Sequence, residues 1–434
     1  MKEITLTEDQ EKASSMFTRF LLDEDAKFMV IKGAAGTGKS TLVKTLLETV
    51  ESRLQMYSIL LGSKDDTPEF TIELTASTNK AAAVLSELTG QPCSTVHSRL
   101  GLAPKESWQT GEINFIKGRG HEPIYNALLV VDEASFINDE LFRLIDESTI
   151  DCKILLIGDE YQLAPVKQLI PIMDKIQGYT VSLDKIMRHG GNIAKAGAKF
   201  RETVNIGVFS PITVDTVNVT HTDGPTFQRM IDHEFTQPDY SEHRARILAW
   251  QNDTVNAYNV HIRGIRGLPP QFGRGDVLMT NRQINTDKKR LAGTDGSVCI
   301  TEIGRDDIQY DIPGRRVYLN DTDYSFFLPN NPHQASAFMK KLGREKKWPL
   351  FFMLQKQWLD LRPAFASTVH KAQGSTYDTV FINLTDIGKC RVPSDVARMM
   401  YVGVTRAAQR VILYGQLPPM YTGAFNEQRS AVTA

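Results

Sequence analysis

The sequence predicts an α/β protein: two parallel-sheet domains, a small β-hairpin inserted in the first and a β-rich segment inserted in the second. Three observations lead there. Short apolar strands alternate with helix-like runs between residues 28 and 157, as a helix-covered parallel sheet requires. The alternation resumes between residues 246 and 414. Between 276 and 361 the texture changes to Gly- and Asp-rich stretches of short alternating segments.

The elements follow in order. Thr7 and Gln10 have capping-box spacing, and Ala13, Met16, Phe17, Phe20 and Leu21 recur at helical spacing, so the first 23 residues read as a helix. Phe28–Lys32, Thr71–Ala76, Ala127–Val131 and Lys153–Ile157 read as strands, and Thr41–Val50, Asn79–Leu88 and Asn138–Glu147 as helices. In the second half, Arg246–Trp250, Thr379–Leu384 and Arg410–Tyr414 are strand-like, and Asn252–Arg263 and Ser394–Tyr401 helix-like. Ser297–Ile303 and Arg316–Leu319 alternate within the β-rich segment. Lys105–Gln109 and Glu112–Ile116 flank Thr110-Gly111, a hairpin turn signal. The predicted first domain comprises 1–100 and 122–182, with the hairpin at 101–121. The second comprises 183–275 and 362–434, with the β-rich insertion at 276–361.

The chain has 434 residues, 41% of them hydrophobic and 23% charged, with a net charge of −1, which suits several globular domains. The balance gives no global basic signature, though a basic channel can hide within it. The run Lys340, Lys341, Arg344, Lys346 and Lys347 is either a phosphate contact or a solvated face. Four separated cysteines (Cys93, Cys152, Cys299 and Cys390) show neither metal spacing nor a disulfide framework, so a reducing compartment is expected. With no signal peptide and no apolar run near about 18 residues, a soluble cytoplasmic protein without a membrane partner is expected.

The chemistry begins at Gly33-Ala34-Ala35-Gly36-Thr37-Gly38-Lys39-Ser40, which fits the phosphate-loop pattern between a strand and the helix opening at Thr41. Glycines let the backbone close around phosphate oxygens, so that amides face the anion. Lys39 is expected to reach the β- and γ-phosphates of ATP, and Ser40 to hold Mg²⁺. Asp132-Glu133 closes an apolar strand, where open parallel sheets bind ligands. Asp132 would meet the Mg²⁺, and Glu133 would orient and deprotonate the attacking water. Gln162 carries an amide suited to sensing the γ-phosphate.

These pieces, in this order, resemble superfamily 1 helicases. The phosphate loop, Asp132-Glu133-Ala134 and Gly158-Asp159-Glu160-Tyr161-Gln162-Leu163 look like the first three helicase motifs. Thr75-Ala76-Ser77-Thr78-Asn79-Lys80-Ala81-Ala82 and Ser94-Thr95-Val96-His97-Ser98 look like the strand-binding motifs. Ala366 to Gly374 and Tyr401 to Ala407 look like the fifth and sixth. Thr368-Val369-His370-Lys371-Ala372-Gln373-Gly374 is similar to the RecD/Dda branch, and the length and insertion positions to its bacteriophage members. One departure is Ser77, where the motif often carries proline.

The resemblance implies two RecA-like domains with ATP between them, and an SH3-like insertion. It implies that Gln10 reads adenine, in competition with its capping role. Arg188 and Arg406 would be arginine fingers, and Gln373 would approach the γ-phosphate. Thr78, Asn79, Thr95 and His97 would hold a single strand on the first domain, and Thr368 and His370 on the second. Phe115 best matches an aromatic tip on a duplex-splitting hairpin, with Trp108 the alternative. The branch implies a monomer moving 5′→3′ on single-stranded DNA toward duplex junctions, with replication or recombination proteins as partners, and a host cytoplasm for a phage-encoded member. No 2′-OH reader separates DNA from RNA, and a nucleotide-switched binding module remains the alternative to an unwinding enzyme.

Overall fold

A computed structural model describes residues 6–61, 70–163, 172–187, 191–211, 214–286, 290–421 and 423–424. Residues 1–5 of the expected first helix and Arg188 lie outside the described residues.

Helix α1 (Glu8–Leu22) starts at Thr7 with both bonds of the capping box formed. Then come β1 (Phe28–Gly33), α2 (Lys39–Leu61), β2 (Thr71–Ala76), α3 (Asn79–Thr89), β3 (Cys93–Thr95) and α4 (Val96–Arg99). A hairpin of β4 (Leu102–Glu106) and β5 (Ile113–Lys117) follows. It leads to β6 (Ile124–Tyr125), β7 (Ala127–Asp132), α5 (Asp139–Glu147), β8 (Thr149–Ile150), β9 (Lys153–Gly158), α6 (Ile172–Lys175) and β10 (Tyr179–Leu183). Six strands form one parallel sheet in the order β10-β1-β9-β7-β2-β3. Its central strands are buried on both faces, which explains their unbroken apolar runs. Met29, Ile31 and Leu155 pack with Phe17, Phe20, Leu42 and Leu46 on one face. The alternate residues Val30, Leu129, Val131 and Leu156 pack with Leu141 and Ile145 on the other.

The second sheet is assembled from two stretches of chain. The first contributes α7 (Gly191–Ile206), β11 (Val208–Phe209), β12 (Val219–Thr222), α8 (Gly224–Phe235), β13 (Ala245–Ala249) and α9 (Asn252–Ile265). An insertion follows: β14 (Val277–Thr280), β15 (Ile284–Asn285), β16 (Arg290–Ala292), β17 (Ser297–Gln309), β18 (Ile312–Leu319), β19 (Ser325–Pro329), α10 (Pro332–Arg344), α11 (Trp348–Gln357) and β20 (Leu361–Arg362). The second stretch adds β21 (Ala366–Thr368), β22 (Tyr377–Asn383), α12 (Leu384–Ile387), α13 (Pro393–Thr405), β23 (Ala407–Tyr414) and β24 (Gly423–Ala424), which pairs with β11. The parallel order is β12-β23-β22-β13-β21. The buried Asn259 amide on α9 staples the stretches together: Ala366 N–H donates to its Oδ1 at 2.9 Å and its Nδ2 donates to Ala366 O at 3.3 Å.

The insertion is not only β-structure. Its antiparallel sheet, β19-β18-β17-β14-β20, is joined by α10 and α11, which the sequence reading missed. Asn331 caps α10, accepting from the His333 and Gln334 amides, with Pro332 at the first helical position. Ala335, Met339 and Leu342 then pack on Phe327, Leu354 and Trp358. The basic run at 340–347 is exposed at the end of this helix, with Lys347 paired to Glu345 at 2.8 Å. Among the described residues, no helix is long and apolar enough to cross a membrane.

Leu155→Ala should cost about 2–5 kcal/mol, because a fully buried central strand collapses poorly around a lost side chain. Urea unfolding followed by far-UV circular dichroism measures it; a midpoint unchanged from the parent would contradict this core assignment.

Candidate functional site

Every motif of the first domain leaves the carboxyl end of a parallel strand. Gly33–Ser40 follows β1, Ser77–Lys80 follows β2, and Val96 to Ser98 follows β3. Asp132-Glu133 ends β7, and Gly158 to Leu163 ends β9. One edge of the sheet therefore gathers them.

Gly36 (φ +84°) and Gly38 (φ +79°) take left-handed conformations that close the loop under α2. A Cβ on Gly38 would lie 2.8 Å from Gln10 Nε2. Thr37 Oγ1 donates to Ala34 O at 2.9 Å. Lys39 Nζ donates to Gly33 O at 2.7 Å and Ala34 O at 3.1 Å, so its ammonium lies along the loop itself. Ser40 and Thr41 continue into α2. Gln10 is buried; its Oε1 accepts the Thr7 N–H at 3.0 Å and its Nε2 donates to Thr37 O at 3.1 Å. The capping arrangement is thus formed, and the same amide ties α1 to the phosphate loop. It keeps the second N–H and second lone pair that adenine reading would use.

Asp132 is buried at the end of β7. Burial raises its carboxyl above the usual carboxylate range and the Glu133 charge adds to this. The Glu133 N–H, donating to Asp132 Oδ1 at 2.8 Å, and the charge of Lys39 oppose the rise. Glu133 adopts φ +52°, ψ +42°. That left-handed backbone costs a non-glycine residue roughly 1–2 kcal/mol. Three bonds hold it: Ser77 Oγ–H to Glu133 O (2.8 Å), Phe136 N–H to Glu133 O (3.1 Å) and Ser77 N–H to Asp132 O (3.1 Å). Glu133 Oε2 is buried and has no hydrogen-bond partner among the described residues. A buried carboxylate oxygen that no protein donor engages keeps its lone pairs for a proton-accepting role. One hydroxyl (Ser40) and one carboxylate (Asp132) also fit Mg²⁺, which takes few protein ligands when phosphates complete its shell.

The second domain closes on this edge. The buried Tyr401 hydroxyl donates to Asp159 Oδ2 at 2.7 Å and accepts the Ala35 N–H of the phosphate loop at 2.8 Å. Asp159 is fully buried, and its backbone N–H and O are both bonded to Ser135 Oγ. Arg398 donates to Glu160 O and, at 2.8 Å, to Gln162 O. The Gln373 amide is best satisfied with its nitrogen on His370 O (3.3 Å) and its oxygen on the Leu163 N–H (3.2 Å), a contact across the cleft. Arg406 is buried and bonds inside its own domain, to Val402 O, Ser375 O and Thr405 Oγ1, each at 3.3 Å. Met187, beside the undescribed Arg188, donates its N–H to Gly36 O at 2.7 Å. Sequence reasoning assigned no role to Tyr401, Asp159 or Arg398. Tyr401 and Asp159 lie inside motifs it had quoted, but which partner each would find is set by the cleft.

The expected strand contacts sit at one side of each sheet: Thr78 and Asn79 after β2, Thr95 and His97 at the edge strand β3, and Thr368 and His370 at the edge strand β21. Thr78 caps α3 by accepting from Ala81 N–H, Thr95 caps α4 by accepting from Ser98 N–H, and Thr368 accepts from Lys371 N–H. Each cap engages the oxygen and leaves the hydroxyl proton to be donated. Desolvation lowers the pKa of half-buried His97 and of His370, whose residue is exposed and whose shift Asp395 opposes, and so favours the neutral imidazole at both. Asn79 faces the insertion: a Cβ on Gly293 would lie 2.5 Å from its Nδ2.

The hairpin corrects one expectation. Phe115 is not at the tip: it pairs with Pro104 in mid-strand, and its ring lies 4.4 Å from that of His97. The turn spans Ser107 to Glu112, wider than Thr110-Gly111 alone suggests, and closes with Ser107 N–H on Glu112 O at 2.8 Å. Trp108 is in that turn and 65% exposed, against 38% for Phe115. The insertion braces the turn. Gly111, at φ +75°, abuts Trp348, whose ring would lie 2.3 Å from a Cβ there, and Lys356 pairs with Glu106 at 2.6 Å.

Two family patterns match the chain: the AAA domain over residues 22–168 and the UvrD-like helicase C-terminal domain over 363–414. The ATP-dependent RecD2 DNA helicase of Deinococcus radiodurans is 25% identical over 94% of this chain, which spans only 50% of that protein. The ATP-dependent DNA helicase dda of Enterobacteria phage T4 is 26% identical over 92% of this chain and 97% of its own length. A Pif1 helicase structure from Bacteroides, in complex with ADP-AlF3 and single-stranded DNA, aligns with 99% of this chain and 97% of its own at 14% identity and TM-score 0.49.

Tyr401→Phe removes the hydroxyl and leaves the Ala35 N–H and the Asp159 carboxylate each one partner short. A loss of about 1–3 kcal/mol is expected, read as a lowered calorimetric Tm. An unchanged Tm would show that the bridge is not made in solution.

Proposed function

We propose that the chain is a superfamily 1 helicase of the RecD/Dda group, an ATP-dependent DNA helicase that moves along single-stranded DNA, 5′→3′. The observation that carries the proposal is Glu133. A strained backbone, fixed by Ser77, holds a buried, unpartnered carboxylate oxygen beside Asp132 and the phosphate loop. Strain and an unmet buried acceptor persist where chemistry uses them.

In this reading, residues 1–100 and 122–182 form one motor domain and 183–275 with 362–434 the other. ATP enters the cleft with its phosphates over Gly33–Thr41. The Ala35 amide exchanges the Tyr401 hydroxyl for a phosphate oxygen, and Lys39 exchanges the loop carbonyls for the β- and γ-phosphates. Mg²⁺ held by Ser40 and Asp132 would neutralise phosphate charge. Glu133 accepts the proton of the attacking water. Gln162 and Gln373 meet the γ-phosphate from opposite walls, Gln10 reads adenine, and Arg188 and Arg406 stabilise charge on the transferring phosphoryl group. For this, Arg406 exchanges its bonds within the second domain for the nucleotide. Nucleotide drives motion only through contacts that differ between the open and closed clefts.

Thr78, Asn79, Thr95 and His97 grip the strand on one sheet, Thr368 and His370 on the other. Hydroxyl donors and neutral imidazoles suit a grip that ignores sequence. The His97–Phe115 pair offers a base-stacking surface, and the exposed Trp108 in the braced turn faces the duplex. A cytoplasmic location follows from this substrate. Strand displacement with 5′- and 3′-tailed duplexes tests the proposal: unwinding of the 5′-tailed substrate alone supports it, and no unwinding of either, or ATPase stimulated by poly(U) but not poly(dT), overturns it.

Glu133→Gln should keep nucleotide affinity and lower turnover roughly 10²–10⁴-fold, the range for a lost general base. Steady-state ATPase and nucleotide titration separate the two quantities; lost affinity with intact turnover contradicts the role. Trp108→Ala should slow unwinding with little change in single-strand affinity. Phe115→Ala should instead weaken single-strand binding by about 1–3 kcal/mol, the value of one stacked base. Fluorescence anisotropy and stopped-flow unwinding distinguish them, and identical defects would remove the division of labour.

A further inference from the structure

We propose that Ser77 is a positioning residue that transmits occupancy of the strand-binding segment to the Glu133 backbone, and so sets how strongly DNA stimulates hydrolysis. The inference rests on the helicase reading above and concerns the position at which this chain departs from the proline common in its motif.

Proline has no N–H and no hydroxyl. Ser77 uses both groups, and both on the catalytic turn. Its N–H extends the β2–β7 ladder by one bond beyond Ala76 and Asp132, reaching Asp132 O at 3.1 Å. Its hydroxyl donates to Glu133 O at 2.8 Å and leans toward Asp132 O at 3.4 Å. With φ +52° and ψ +42°, Glu133 presents its carbonyl to Ser77, just past the end of β2. Without the hydroxyl it keeps one donor, the Phe136 N–H. The Ser77 bond therefore favours the strained conformer that aims the carboxylate.

The residues after Ser77 explain why this bond reports on DNA. Thr78 caps α3, and Asn79 abuts the insertion at Gly293. Lys80 Nζ donates to Ser375 Oγ at 2.7 Å in the second domain, and Ser375 O accepts from Arg406 Nη1 at 3.3 Å. Four consecutive residues thus join the turn of the general base, the proposed strand contacts and the support of the arginine finger. A strand that seats on Thr78 and Asn79 shifts a segment whose first residue is bonded to Glu133. A proline at this position would leave the turn without either bond.

The test compares Ser77→Ala and Ser77→Thr with the parent chain. ATP turnover is measured with and without saturating poly(dT), together with the KM for ATP and the Tm. Ser77→Ala should lower the ratio of stimulated to unstimulated turnover about three- to tenfold, the effect of one hydrogen bond. The KM for ATP should stay within about twofold, since the phosphate loop is untouched. Ser77→Thr, which keeps the hydroxyl, should restore the ratio. An unchanged ratio in Ser77→Ala overturns the coupling. So does an equal fall in both rates with a lowered Tm, the signature of a merely structural bond. Glu133→Gln in the same assay separates the two levels: if it keeps full turnover, or if poly(dT) does not stimulate the parent chain, the helicase reading fails and the coupling with it.

Discussion

The closed form of the molecule depends on the buried carboxylate of Asp159. A carboxylate with no access to water must be satisfied by donors, and here they come from both sides of the cleft. Tyr161 N–H and Gln162 Nε2 serve it from the first domain, and the Tyr401 hydroxyl from the second. The same hydroxyl accepts the Ala35 N–H, so the phosphate loop, the end of β9 and helix α13 meet at one oxygen. Separating the domains would exchange the bonds of a loop amide and of a buried carboxylate for water together. Closure therefore has its own polar requirements, and under the proposed function nucleotide would take them over group for group.

Much of this was legible in the sequence, and the reason is short range. The phosphate loop, the acidic strand end and the individual strands of both parallel sheets are encoded in contiguous residues whose spacing reports their geometry. The illegible parts need partners far along the chain. Phe115 was misplaced because a turn signal at Thr110-Gly111 does not reveal that Ser107 to Glu112 all lie within the turn. Helices α10 and α11 were missed because the flanking Gly- and Asp-rich alternation suggested β-structure, whereas Asn331-Pro332 starts a helix there. Gln10 had two competing roles on paper; one amide fills the cap and reaches Thr37 as well. Arg406 carried a functional expectation that said nothing of its bonds to Ser375 and Val402.

The threonines show how one residue type meets two demands. Thr78 and Thr95 cap α3 and α4, and Thr368 accepts from the Lys371 N–H. The acceptor is engaged and the donor spare, so the same hydroxyls suit a phosphate backbone.

The Asn259–Ala366 staple has a consequence for biogenesis. Strand β13 lies between β22 and β21, so both of its neighbours are synthesised only after the whole insertion has left the ribosome. The first sheet is complete by Leu183, while the second waits for Tyr414. Vectorial synthesis thus yields a finished N-terminal half carrying an unpaired β13 that is apolar except for Arg246, the kind of exposed edge that invites aggregation. The cost of closing the intervening loop grows only logarithmically with its length. An insertion folded before residue 366 emerges would shorten that loop and bring Ala366 toward Asn259.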